Sequence, residues 1–179
     1  MTGFLRRIVG AAALDARVYE EVEADESATG QAMAVVVLSS LAAGIGFAFA
    51  ADYPVVRAVY GLLAALFGWI LWAFLTYVIG AKLFPATQTE ADVWQLLRTI
   101  GFASAPGLLR VFAFLPALGL VVSAIASVWM LVAMVIAVRQ ALDYLGTLRA
   151  VGVCLLGWIA MLGLQAMVFL LIPALSGGE

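Results

Sequence analysis

The chain has 179 residues, 66% hydrophobic and 11% charged, with a formal net charge of −2 and no histidine. A soluble domain carries roughly a quarter charged residues, and no core of this size could hide so much apolar surface, so the surrounding solvent is predicted to be lipid. The small net charge argues against a nucleic-acid partner, and the missing imidazole removes the commonest metal ligand and general base.

Residues 1–30 form a charged leader, predicted to be cytoplasmic, ahead of a membrane domain over 31–175. "MTGFLRRIVGAAAL" mixes apolar residues with Arg6 and Arg7, the pattern of a short amphipathic helix lying on a membrane surface. The rest is acidic. Leu14, Val18 and Val22 repeat at four, a helical stripe, and Arg17 is placed to pair with Glu20 or Glu21 on one helix face. Glu20, Glu21, Glu23, Asp25 and Glu26 precede the first span. They serve either as a solvated face or as a docking surface for Arg98, Arg139 and Arg149 or for a partner.

Crossing a bilayer takes about 20 apolar residues. The first span is predicted over 32–51, stopped by Asp52 and Pro54. Its apolar run is too long for a signal-peptide core, although the "AFAA" at 48–51 imitates a cleavage site. The second runs over 55–80, with Trp69 and Trp72 too deep for an interfacial belt and expected to pack against other spans. Thr87 and Glu90 stand at capping-box spacing, so the next helix is expected to start near Thr87 or Thr89, with Trp94 as an interfacial anchor.

That helix enters "LLRTIGFASAPGLLRVF", residues 96–112, where two arginines flank a run of small residues. Arg98 and Arg110 are about 18 Å apart along a helix, too short a gap to span. Snorkelling arginine stems make 95–115 long enough for a third span, with a turn at Pro116. Pro106 is expected to kink it near Phe102; the alternative is a re-entrant hairpin. Gly101, Ser104 and the alanines beside them would let a neighbouring helix come close. The fourth and fifth spans are read over 117–138 and 151–172. The fold class is therefore all-α, a bundle of five transmembrane helices with the third kinked at a proline.

With the N-terminus inside, the inner segments hold Arg6, Arg7, Arg17, Lys82, Arg98, Arg139 and Arg149, and the outer ones hold Arg57 and Arg110. Seven against two orients the chain N-terminus cytoplasmic and C-terminus periplasmic.

No motif for catalysis, metal or cofactor is present, so an enzyme is not expected. The lone Cys154 reads as packing. No carboxylate lies mid-span, which argues against ion-coupled transport. Ser39, Ser40, Thr76, Tyr77, Ser123, Ser127 and Gln165 read as interhelical glue, and Ala42 and Gly46 form a small-xxx-small pair.

Three blocks resemble the YIP family of Ypt/Rab-interacting membrane proteins in its short bacterial form. They are the acidic leader running into the first span, the polar loop with Arg98, Gly101, Phe102, Ala103, Ser104 and Pro106, and the last turn with Arg149 and Ala150. Phe102 stands where the family often has tyrosine. The resemblance implies five spans, a cytosolic N-terminus and no enzymatic activity; eukaryotic members of the family associate with each other in the membrane. Together with the alanine-rich composition it suggests a bacterial inner membrane. The expected function is a scaffold or organiser of membrane components, with the bilayer and a membrane protein as partners. The alternative is a passive transporter, channel or lipid-handling protein using a groove along the third span between Arg98 and Arg110.

Overall fold

The computed structural model describes residues 3–47, 54–115 and 118–176. The described residues form helices and turns only. In chain order these are α1 (Gly3–Ala12), α2 (Ala16–Ala24), α3 (Ala28–Phe47), α4 (Pro54–Tyr77), a π-helical turn (Val78–Leu83), α5 (Val93–Phe102), a 3-10 segment (Ala105–Phe114), α6 (Gly119–Ala141) and α7 (Thr147–Ser176). Five stretches are long and apolar enough to cross a membrane: Ala28–Gly46, Ala58–Leu83, Val93–Phe114, Gly119–Ala141 and Thr147–Val168. The protein is thus a polytopic all-α bundle. The cleavage-site mimic at 48–51, Asp52, the turn at Pro116 and the end of the chain from 177 lie outside the described residues.

α3 begins four residues ahead of the expected first span, because Ala28 to Gln31 join the helix despite the polar side chains of Thr29 and Gln31. The third span is the central element. Its α5 half is almost wholly buried from Leu96 to Phe102, and it packs against α2, α3, α4 and α6. The expected kink at Pro106 is not what is observed. The α-helix ends at Phe102, and ten residues of 3-10 helix follow from Ala105, with Pro106 in the first turn. Proline has no N–H for the i→i−4 ladder, and the chain resumes with a 3-10 bond, Gly107 N–H to the Ser104 carbonyl at 2.9 Å. Such a run is long for a 3-10 helix, and its rise of about 2.0 Å per residue lengthens the span.

The start of α5 also differs from expectation. The capping box is formed by Asp92 and Gln95: the Asp92 carboxylate accepts from Gln95 N–H at 2.8 Å, and the Gln95 side chain accepts from Asp92 N–H at 2.7 Å. The Thr87/Glu90 pattern is not used. Thr89 Oγ1 instead donates to the Leu142 carbonyl at 2.9 Å and accepts from Ala86 N–H. Gln88 Nε2 donates to the Asp143 carbonyl at 3.0 Å. The loops before α5 and after α6 are tied together at one end of the bundle. Tyr144 completes the tie, its hydroxyl reaching the carbonyls of Gly80 and Phe84 at 2.8 and 3.0 Å.

The small residues of the third span meet α3. A Cβ on Gly101 would lie 2.7 Å from Ala32 Cβ, and one on Gly107 would strike Ser39 Oγ and Met130 Sδ. On the α3 side, a Cβ on Gly46 would collide with the Arg110 carbonyl. Close backbone approach is how helices associate where water gives no hydrophobic drive. Trp69 packs as expected and donates its indole N–H to the Leu97 carbonyl at 3.0 Å. A cavity of about 320 Å³ lies between the spans, lined by Ser39, Ser104, Trp72 and three methionines among others.

Candidate functional site: the leader docked on the third span

The leader is part of the bundle. α1 and α2 form an antiparallel hairpin whose turn places Leu14 at φ 62. Leu14 N–H bonds to the Ala11 carbonyl and Asp15 N–H to the Gly10 carbonyl, at 3.1 and 3.0 Å. This is the double bond of a Schellman turn, a place usually given to glycine. Two of the three residues of the predicted stripe, Val18 and Val22, are buried on α2 and joined by Tyr19, whose hydroxyl donates to the Ala11 carbonyl at 3.0 Å; the third, Leu14, lies in the turn ahead of the helix.

Arg98 is the anchor. Its residue is only 5% exposed. Its Nε donates to the carbonyls of Val22 and Glu23 at 3.1 and 3.0 Å, and its Nη2 donates again to Glu23. These carbonyls end α2, so the guanidinium caps a helix C-terminus, where the unpaired C=O groups carry the negative end of the macrodipole. The docking expected from the acidic side chains thus takes a different form. Arg98 binds backbone and faces α2 rather than an open groove.

The acids go elsewhere. Glu21 is taken by Arg6 at 2.5 Å and Arg7 at 2.9 Å, and Asp25 by Arg7 at 2.6 Å. Arg17 pairs with Asp15, not with Glu20 or Glu21. Glu20 accepts from Gln140 Nε2 at 2.6 Å, while Glu26 is exposed. Arg139 reaches the Tyr144 carbonyl and Thr147 at 3.4 Å, and Arg149 sits over the Tyr144 ring at 5.4 Å. Neither meets the leader's carboxylates. The expectation of Arg139 and Arg149 as docking points is therefore corrected; both brace their own turn.

Gly101, Phe102 and Pro106 are buried and Ser104 half-buried. The fully enclosed Phe102 has no use for a hydroxyl. Arg110 donates to Ser127 Oγ at 3.0 Å, and the Ser127 hydroxyl donates in turn to the Ser123 carbonyl at 2.8 Å. Arg98 and Arg110 thus hold two different neighbours and share no site. Tyr144, Tyr19 and Trp129 escaped the sequence reading because each bonds to a carbonyl, and a carbonyl leaves no mark in side-chain spacing.

The leader and the two loops enclose an open cleft of about 800 Å³, whose charged lining is Glu20, Glu23, Glu90, Asp143 and Arg139. Burial pushes the Glu23 carboxyl up to about 7; Asp143, Glu20 and Asp92 add to the rise and Arg98 opposes it. The sign follows from linkage: a carboxyl raised in the docked state favours docking while protonated. That contribution is complete below the free value near 4.5 and is lost as pH rises through about 7. Protease protection of the leader in nanodiscs is therefore expected to be stronger at pH 5.5 than at pH 8. Glu23→Gln is expected to flatten that difference; an unchanged slope in this variant would place the titration elsewhere.

The Yip1 domain model matches residues 15–173, from the turn before α2 into the last span. No curated protein and no solved structure matches.

Proposed function

The chain belongs to the Yip1-domain family of membrane proteins, and on that premise we propose that it is a non-enzymatic organiser of other components of the bacterial inner membrane. The open end of the leader and the cleft beside it face the cytoplasm, as the seven-to-two distribution of basic residues supports. One observation carries this reading. The bundle spends its buried cation, Arg98, on fixing the leader, and the docked leader presents a charged cleft at the end where both loops are tied down. A rigid, charged end on a membrane anchor suits recognition of a partner's cytoplasmic segment or of a second copy.

Site-specific photo-crosslinking in native membranes tests it. A crosslinker at Glu90 is expected to give discrete adducts with a membrane protein or with a second copy. Charge reversal of Glu20 and Asp143 should remove them. A crosslinker at Trp158, on the outward face of α7, serves as the lipid-facing control. A chain that yields only lipid adducts at both positions, and purifies as a monomer in mild detergent, would overturn the proposal.

A further inference from the structure

Trp129 lies near the middle of α6, yet its indole N–H donates to the Ala12 carbonyl in the leader at 2.8 Å. At the other end of the contact, Gln140 of α6 meets Glu20 of α2. Trp129 and Gln140 are about eleven residues apart, or about 16 Å at the helical rise. The leader hairpin therefore runs along the span instead of across its end, and its turn sits about half a bilayer deep. A second contact agrees: α1 packs on the 3-10 segment, the far half of the third span, as well as on α5.

The hairpin has the chemistry for this depth. α1 buries Ile8 and Ala11 against the bundle, while Leu5 and Val9 face outward, 49% and 55% exposed. Leu14 at the turn completes an apolar groove with Ala124, Ile125, Val128, Trp129 and Val132. In hydrocarbon every backbone polar group needs an internal partner. Among the amides from Ala13 to Val18, all but that of Ala16 have one. The charges at the turn cancel. Arg17, 87% exposed at its side chain, lies two-pronged on the Asp15 carboxylate at 3.1 and 3.0 Å, a pairing that neutralises both groups. The other charges, Arg6, Arg7, Glu20, Glu21, Glu23 and the adjoining Asp25, gather toward the open end of the hairpin.

We propose that residues 3–24 are a re-entrant hairpin inserted into one leaflet, with acyl chains as the partner of its Leu5/Val9 face and of the groove at Leu14. This replaces the expectation of an amphipathic helix lying flat on the membrane. α1 precedes the family match, which begins at residue 15.

The test uses the full chain in a Cys154→Ala background, reconstituted in phosphatidylcholine–phosphatidylglycerol vesicles. Single nitroxides are placed by Leu5→Cys, Val9→Cys, Ala13→Cys or Glu26→Cys, all outward positions where a label spares the packing. Accessibility to oxygen and to a water-soluble nickel chelate then reads depth. The expected order is Glu26 in water, then Leu5, then Val9 about 6 Å deeper than Leu5, with Ala13 at least as deep. Equal depth for Leu5 and Val9 would mean a helix lying flat. A Val9 or Ala13 label open to nickel as fully as the Glu26 label would mean a hairpin in water. Either overturns the proposal, and Ala13 decides it should the Val9 variant fail to reconstitute.

Discussion

Arg98→Ala is expected to release the leader while leaving the five spans in the membrane. The substitution removes three donated hydrogen bonds and leaves the last carbonyls of α2 buried without a donor. A hydrogen bond to a charged group is worth about 1.5–3 kcal/mol, and an unsatisfied buried acceptor adds to that loss. Roughly 3 kcal/mol would reduce the docked population by more than a hundredfold relative to the free one. Limited proteolysis in nanodiscs measures it directly: cleavage near residues 24–27 should accelerate steeply. Arg98→Lys is expected to fall between the two, because an ammonium lacks the fork that reaches both carbonyls. A protease pattern unchanged in Arg98→Ala would show that Val18, Tyr19 and Val22 hold α2 without help.

Gly46→Ala is expected to be the most damaging small substitution in the bundle. Its Cβ would run into the backbone carbonyl of Arg110 and lie 2.9 Å from Ala113 Cβ, so α3 and the 3-10 segment must move apart. Overpacking of this kind costs about 1–3 kcal/mol where a side chain can yield, and a carbonyl yields less. Gly101→Ala meets Ala32 Cβ at 2.7 Å and the Ala32 carbonyl at 3.1 Å and should act in the same direction. Gly163 in α7 has open space around it, so Gly163→Ala should be neutral or gain up to about 1 kcal/mol from helix propensity. Thermal unfolding in one detergent compares the three. A Gly46→Ala protein as stable as Gly163→Ala would contradict the close α3 contact.

The five spans were legible in the sequence because bilayer thickness sets their length and apolar runs announce it. Their ends were less so. Polar Thr29 and Gln31 lie inside α3, because a helix can extend past the apolar stretch while its side chains find water or, for Gln31, Arg7 at 3.1 Å. The Thr87/Glu90 spacing pointed to one start for the third span, and the helix takes a second, Asp92/Gln95, five residues on. The choice fell to the second because Thr89 and Gln88 are drawn off to the carbonyls of Leu142 and Asp143, a tertiary contact that no local pattern encodes. Proline at 106 marked the change in the third span but not its form, since a kinked α-helix and a 3-10 continuation answer the same missing N–H.

The leader shows the same limit. Its charges suggested pairing with inner-face arginines, and Arg98 was indeed the residue that meets it. The partner atoms are carbonyls, however, and the acids are satisfied by Arg6 and Arg7 inside the leader itself. The small residues around Gly101 meet α3 closely, and that neighbour could be named only from the fold.

The leader is an integral element of the membrane domain, held on the third span by Arg98. Hydrogen exchange of the full chain in lipid nanodiscs tests it most directly. Amides of residues 16–24 are expected to exchange as slowly as those of 93–102 in the parent protein, and to become fast in Arg98→Ala while 93–102 remain slow. Fast exchange of 16–24 in the parent, at the rate of a free peptide, would contradict the account.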